Sequence, residues 1–158
     1  MSGSLDSKID SIHSLNAQAW DIMLESPEES LRLSQQALKE AREHGTPLGM
    51  AEATLNIGWC SVWLGDITKA LENLDLSLEL FQGLDDNDGI SKVYNALGSA
   101  YQTIGMYEKA IPLYTKSLNF AKQMDNPARQ VSVLNNLGEL SSFFFRRKVR
   151  QDCSAQRP

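Results

Sequence analysis

The sequence repeats itself every 40 residues, and this periodicity constrains the fold more than any other feature of the chain. Three glycines mark the repeat, Gly58, Gly98 and Gly138, and each follows an isoleucine or a leucine. Other columns keep the same spacing: Gly65 with Gly105, Ala70 with Ala110, and Leu38 with Leu78 and Leu118. So many coincident columns indicate one structural unit that is copied along the chain.

Within each period the apolar residues recur every three or four positions, as they do on one face of an α-helix. Val93, Leu97, Ala100 and Ile104 show this spacing in one segment of the third period. The pattern predicts seven helices, at about residues 5–24, 27–44, 47–64, 67–83, 88–104, 107–124 and 127–145.

Capping signals support these boundaries. Ser26 and Glu29 are spaced as a capping box, in which each side chain binds a backbone N–H of the other residue. Thr46, Asp86 and Asn126 occupy the same place in successive periods and predict helix starts. Gly45 and Gly83 lie where a helix commonly ends in a left-handed residue, so we expect both to be C-caps.

The segment NALGSAYQTIGMYEKAIPLYTKSL resembles the tetratricopeptide repeat family, in its Leu97-Gly98 pair and in Tyr101, Ala110 and Tyr114. Residues 51–83 match well, residues 11–44 match weakly, and residues 131–140 match as a first helix only. The usual period of this family is 34 residues. The longer period here is similar to that of kinesin light chains and of bacterial regulatory proteins with such repeats.

The resemblance implies an all-α fold, a right-handed α-solenoid of antiparallel helix pairs with about three and a half repeats. We expect a lead-in at residues 1–10 and a solenoid over residues 11–140. The expected repeats are residues 11–45, 51–85 and 91–125, followed by the first helix of a fourth at 127–145. Residues 146–158 form a basic tail that we expect to lie outside the repeat.

The resemblance further implies that the first helix of each pair lines a concave groove that binds a peptide. Counted from the glycine column, the candidate peptide-binding residues are Asn56, Trp59, Trp63, Lys92, Asn95, Ser99, Asn135 and Asn136. By the same count the first repeat contributes Leu15, Asn16, Ala19 and Met23.

Two of these groups have two explanations each. The asparagines either bind the backbone of an extended peptide, as in the family, or bind the adjacent helix. Trp59 and Trp63 lie one helical turn apart, and they either anchor an apolar side chain of a partner or pack against Ile22 and Met23. The sequence leaves both questions open.

Charge and motif content exclude several functions. The net charge of −5 disfavours nucleic acid, since phosphate binding needs a basic face. No nucleotide-binding, hydrolase or metal-site motif occurs, so we expect no enzyme, no metal and no cofactor. Cys60 and Cys153 are far apart and are expected to be reduced thiols. No signal peptide or apolar run of ~20 residues is present, which predicts a cytoplasmic protein without a membrane partner.

The repeat pattern stops after Leu140, and residues 141–158 carry five basic side chains and one acidic one. Phe143, Phe144 and Phe145 precede Arg146, Arg147, Lys148 and Arg150. Three explanations remain open. The tail continues the last helix, with the Phe side chains covering its bare face. It forms a short patch for a membrane surface or an acidic partner. Or it is the truncated or altered end of a protein that continues with more repeats or an effector domain. An uncapped last helix also predicts pairing with a second copy of the chain.

From these observations we expect a protein-interaction module that recognises a peptide or a helix along its concave face, with a partner that the sequence does not identify. The alternative is a regulatory or sensory region of a larger bacterial signalling protein, such as a cyclase or a sensor kinase, whose effector domain this chain lacks. That alternative rests on analogy of fold alone.

Overall fold

The computed structural model describes the backbone of residues 2–155, with the side chains of residues 4–147 and of Arg150. This part of the chain contains no strand, and it forms seven helices. They are α1 (Ser2–Ile22), α2 (Pro27–His44), α3 (Pro47–Trp63), α4 (Ile67–Gly83), α5 (Asn87–Thr103), α6 (Tyr107–Gln123) and α7 (Pro127–Ala155). Consecutive helices pack together, and α3 also contacts α1 and α5. The predicted all-α solenoid is confirmed.

The helix boundaries agree with the sequence from α2 to α6 and differ at the two ends. Helix α1 begins at Ser2 and takes in most of the predicted lead-in. Helix α7 continues to Ala155, well beyond the predicted end at residue 145. The phenylalanines and Arg146 therefore continue the last helix, as the first of the three explanations for the tail describes.

A side chain caps the N-terminus of three of the helices. The carboxylates of Asp66 and Asp86 and the amide oxygen of Asn126 each accept the backbone N–H three residues later, at 3.0–3.1 Å. The predicted capping box at Ser26 is wrong, because the Ser26 side chain makes no cap bond. Glu29 instead binds the guanidinium of Arg32 at 2.7 Å, a charge-assisted pairing that competes with the backbone.

Each turn that follows a helix pair contains one residue in the left-handed conformation. Gly45, Asp85 and Asp125 have φ of 63°, 52° and 49°. The expected C-cap at Gly45 is confirmed. The one at Gly83 is wrong, since Gly83 still belongs to α4 and the left-handed position falls on Asp85. Aspartate is one of the few side chains that tolerates this conformation.

Small residues set the distance between the two helices of a pair. A Cβ on Gly58 would lie 2.5 Å from Leu74, and one on Gly98 would lie 2.7 Å from the ring of Tyr114. The paired helices α3 and α4, and α5 and α6, therefore approach closely at the glycine column. The apolar core runs along the chain between these layers, because each pair buries its face on its neighbours.

Candidate functional site

The first helices of the pairs, α1, α3, α5 and α7, share one side of the solenoid, and three cavities lie along it. The first cavity has a volume of about 360 Å³ and lies between α1, α3 and α5. We call it the acidic cavity, because its lining includes His13, Asn16, Asp21, Glu52, Asp86 and Asp88.

The second cavity, of about 280 Å³, is lined by residues of all four first helices. We call it the tryptophan cavity, and its lining includes Trp20, Met23, Trp59, Trp63, Lys92, Asn95, Arg129 and Asn136. Its lining contains two cations and no carboxylate. The repeat geometry thus brings together residues that are more than 100 positions apart in the sequence.

The third cavity, of about 530 Å³, lies towards the C-terminal end, and we call it the tyrosine cavity. Its lining includes Trp59, Trp63, Ser99, Gln102, Tyr107, Tyr114, Asn136 and Phe143. The Tyr114 hydroxyl donates a hydrogen bond of 2.6 Å to the Gln102 side chain. Burial raises the pKa of Tyr114 above its ordinary value, so this phenol stays protonated as a donor.

The two central tryptophans behave differently from each other. Trp59 and Trp63 are stacked, with ring centroids 6.4 Å apart and planes inclined by 19°. Trp59 is half-buried and packs on the apolar core, whereas Trp63 is 56% exposed. The indole Nε1–H of Trp59 is buried and has no acceptor. Trp63 is therefore accessible from the cavities, and Trp59 stacks on it from the side of the core.

Lys92 lies at the boundary between the acidic and tryptophan cavities and lines both. Its Nζ is 2.7 Å from the Asp88 carboxylate and 5.5 Å from the centroid of the Trp20 ring. Arg129 binds the same carboxylate at 3.1 Å and so connects α7 to α5. Burial acts to raise the pKa of Asp88, but the hydrogen bonds and charges of Lys92 and Arg129 outweigh it and hold that pKa below its ordinary value.

Two of the candidate asparagines bind neighbouring helices. The Asn56 amide donates to the Asn16 carbonyl at 2.9 Å, and the Asn136 amide donates to Asn95 Oδ1 at 2.8 Å. Asn56 is 3% exposed, so its Nδ2–H is used inside the array. Asn135 is exposed and lines none of the three cavities.

The structure places most of the candidate residues on one surface. Trp59, Trp63, Lys92, Asn95 and Asn136 meet in the tryptophan cavity, Ser99 lies in the tyrosine cavity, and Asn56 lies in the acidic one. In the first repeat the expected position Ala19 is fully buried and lines none of the three cavities.

Trp20 is the residue that the sequence analysis missed. Its repeat column holds Cys60 and Ala100, which are fully buried, and Cys60 contacts Ser30 of the preceding pair. No helix pair precedes α1 in the described part of the chain, so Trp20 is 38% exposed and reaches Lys92 instead. A tryptophan in a column that holds small side chains in the second and third repeats was the available signal.

Comparison with known proteins supports the family assignment. Residues 49–123, which cover almost all of α3 to α6, match the family model described as tetratricopeptide repeat. Over residues 49–123 the chain contains tetratricopeptide repeats. A search of curated proteins returned no match.

A solved structure similar to this tetratricopeptide array is that of BtubC (BKLC) from P. vanneervenii. The two share 20% sequence identity with a TM-score of 0.63, over 89% of this chain. This chain spans 66% of the length of BtubC. At this identity the likeness concerns the fold alone.

The described region was also compared with what a membrane-spanning helix and a metal site require. Among the helices of the described region, none combines the length and apolarity needed to cross a bilayer. Over the same region, no group of three or more histidine, cysteine or carboxylate side chains is arranged to hold a metal ion. The tetratricopeptide repeat is a scaffold for protein interaction and is generally non-catalytic.

Proposed function

We propose that the concave side of this array binds a segment of another protein, and that the tryptophan cavity is the main contact. The observation that supports this most directly is the exposure of Trp63, stacked on Trp59 among amides and cations. A large aromatic that is more than half exposed leaves apolar surface in water, and covering it on binding is favourable.

The surroundings of Trp63 favour a partner with both apolar and polar groups. The stacked indoles offer a flat apolar surface, while Ser132, Asn136 and Lys92 line the same cavity with polar groups. Aromatic side chains in such settings supply a large share of binding energy at protein interfaces. The segment that fits carries one apolar side chain on the tryptophans, with backbone or acidic groups beside it.

The test is selection from a phage-displayed peptide library against the wild-type protein, followed by affinity measurements on the enriched peptides. We expect Trp63→Ala to weaken binding at least about tenfold, since interface tryptophans contribute ~2 kcal/mol or more. Leu76→Ala on α4 is the matched control, because Leu76 is an exposed apolar residue outside all three cavities. Enriched peptides that bind Trp63→Ala as tightly as wild type would place the contact elsewhere.

A second proposal concerns helix α7 and a second copy of this chain. Val131, Leu134 and Phe145 are 57%, 51% and 71% exposed, and they lie on one face of α7 with Gly138. No atom of the described residues lies within 4 Å of where a Cβ on Gly138 would be. Val131 and Phe145 are seven residues on either side of this glycine, so two antiparallel α7 helices bring each Val131 opposite the partner's Phe145 across a two-fold axis.

Light scattering during size-exclusion chromatography tests the α7 proposal. We expect a dimer for wild type and a monomer for Leu134→Glu, because a charge in this face opposes burial. Leu76→Glu controls for a charge placed on an exposed leucine elsewhere. A wild-type protein that stays monomeric at ~100 μM would exclude the dimer in the micromolar range.

A further inference from the structure

Asn16 lines the acidic cavity and has a buried acceptor that no group among the described residues satisfies. Asn16 is 3% exposed, and its Nδ2 donates to the Gly49 carbonyl at 3.1 Å and to Glu52 Oε2 at 3.3 Å. Both of these partners accept hydrogen bonds only, so they fix the amide with its nitrogen towards them. Asn16 Oδ1 is then buried without a donor. A buried acceptor in this state is costly, and it favours a ligand that brings N–H groups.

The same cavity has more negative charge than its own cations balance. Asp88 is paired with Lys92 and Arg129, and the Asp86 carboxylate caps the Gly89 N–H. Asp21 and Glu52 remain, and of these Glu52 is contacted by His13 Nδ1 at 2.9 Å. The cavity therefore differs from the tryptophan cavity, whose lining has two cations and no carboxylate.

We propose that the acidic cavity receives an arginine side chain of the protein segment that lies in the groove. Its acceptors come from two helices, with Asn16 and Asp21 on α1 and Glu52 on α3. A guanidinium presents five N–H donors in a plane and can reach several such groups, whereas an ammonium is a compact point charge. The volume of about 360 Å³ also admits the flat head group with part of its stem.

This proposal rests on the proposed function and gives the bound segment a direction. Lys92 separates the two cavities. The bound segment therefore places an apolar or acidic residue on the tryptophans, on one side of Lys92, and its arginine in the acidic cavity, on the other side. The opposite charge preference of the two cavities disfavours the reversed orientation, because like charges in a partly buried site repel.

The test uses NMR on ¹⁵N-labelled protein titrated with N-acetyl-arginine amide. N-acetyl-citrulline amide is the matched probe, because it has nearly the same shape without the charge. We expect the arginine probe to shift the side-chain amide of Asn16 and the indole N–H of Trp20 with millimolar affinity, and the citrulline probe to leave them unchanged. Equal shifts from both probes, or none from either at saturating concentration, would overturn the proposal.

Variants that remove the carboxylate charges of the acidic cavity test whether the arginine probe binds there. The double variant Asp21→Asn/Glu52→Gln keeps the side-chain shapes, and we expect it to bind the arginine probe at least about tenfold more weakly. Glu72→Gln/Glu79→Gln on α4 removes two exposed charges outside the cavities and should bind as wild type does. Asp21→Asn alone serves if the double variant does not fold, and it should weaken binding severalfold. Unchanged affinity in these Asp21 variants would contradict the proposal.

Three further outcomes separate the alternatives. Binding of spermidine without binding of the arginine probe would assign the cavity to a free polyamine and overturn the protein-segment proposal. If the arginine probe fails while library peptides still require Trp63, the proposed function stands and only the arginine pocket is wrong. If the probe binds at the predicted residues while Trp63→Ala has no effect on the peptides, the arginine pocket is supported and the tryptophan contact is wrong.

Discussion

The pair α5–α6 and the helix α7 carry the same repeat signature in different surroundings. Gly98 of α5 lies against the ring of Tyr114, whereas Gly138, one period later, has no described residue within 4 Å of where its Cβ would be. Ser91 is fully buried and bonded to Ser117, whereas Val131 at the same repeat position is 57% exposed. A repeat motif thus specifies a helix with one face suited to packing against a neighbouring helix. That face becomes part of a core only when the neighbouring helix is present.

The largest expected effect comes from removing a side chain that fills the closed pair. Tyr114→Ala should lower the free energy of unfolding by ~3–5 kcal/mol, because it deletes a fully buried ring and leaves a cavity. Phe145→Ala at the open end should change it by less than ~0.5 kcal/mol. Urea unfolding followed by far-UV circular dichroism measures both, in protein dilute enough to be monomeric. Similar losses for the two variants would show that Phe145 is buried within the monomer.

An alanine at the two glycines should change stability in opposite directions. In Gly98→Ala the new methyl would lie 2.7 Å from the Tyr114 ring, and the expected loss is ~1–3 kcal/mol. In Gly138→Ala the methyl enters open space and removes a helix-interior glycine, so a gain of up to ~1 kcal/mol is expected. The same urea series measures both. Destabilisation by Gly138→Ala would indicate a neighbour at that position.

A smaller effect concerns Asp88, whose carboxylate connects α5 to Arg129 of α7. Asp88→Asn should cost ~0.5–1 kcal/mol at pH 7, a value reduced for solvent screening because the side chain is 39% exposed.

The Asp88 effect should also depend on pH. Since the folded pKa is lowered, the stabilisation is complete above the unfolded value of about 4 and is lost as the pH falls through the folded pKa. The difference in Tm between wild type and Asp88→Asn should therefore shrink from pH 7 to pH 3. A constant difference over that range would mean that the carboxylate charge has no part in the connection.

The fold was largely predictable because the determining signals are local and repeated. The spacing of Leu97, Gly98 and Ala110 was enough to define a helix pair, and the boundaries from α2 to α6 follow it within one residue. One error falls where a side chain has several available partners, since Glu29 pairs with Arg32 rather than with the Ser26 backbone. Another concerns the backbone, where the left-handed turn falls on Asp85 rather than Gly83.

The candidate site was predictable as a surface but not as a set of contacts. The repeat count placed Trp59, Trp63 and Lys92 on one side of the solenoid, and they do line a common cavity. It did not reveal that Asn56 donates to the neighbouring helix, nor that Trp20 faces Lys92. Both depend on how adjacent helices are turned, which a column in the sequence does not encode.

The sequence by itself determined the helix pair, its period, and the small residues that permit close packing, because each of these rests on short-range spacing along one or two helices. Tertiary structure alone decided which polar groups are left without a partner. Asn16 Oδ1, buried and without a donor beside Glu52, arises only because α1 and α3 meet with Gly49 between them. Hydrogen bonding is directional and depends on distances between helices, so it is settled only once the helices have packed.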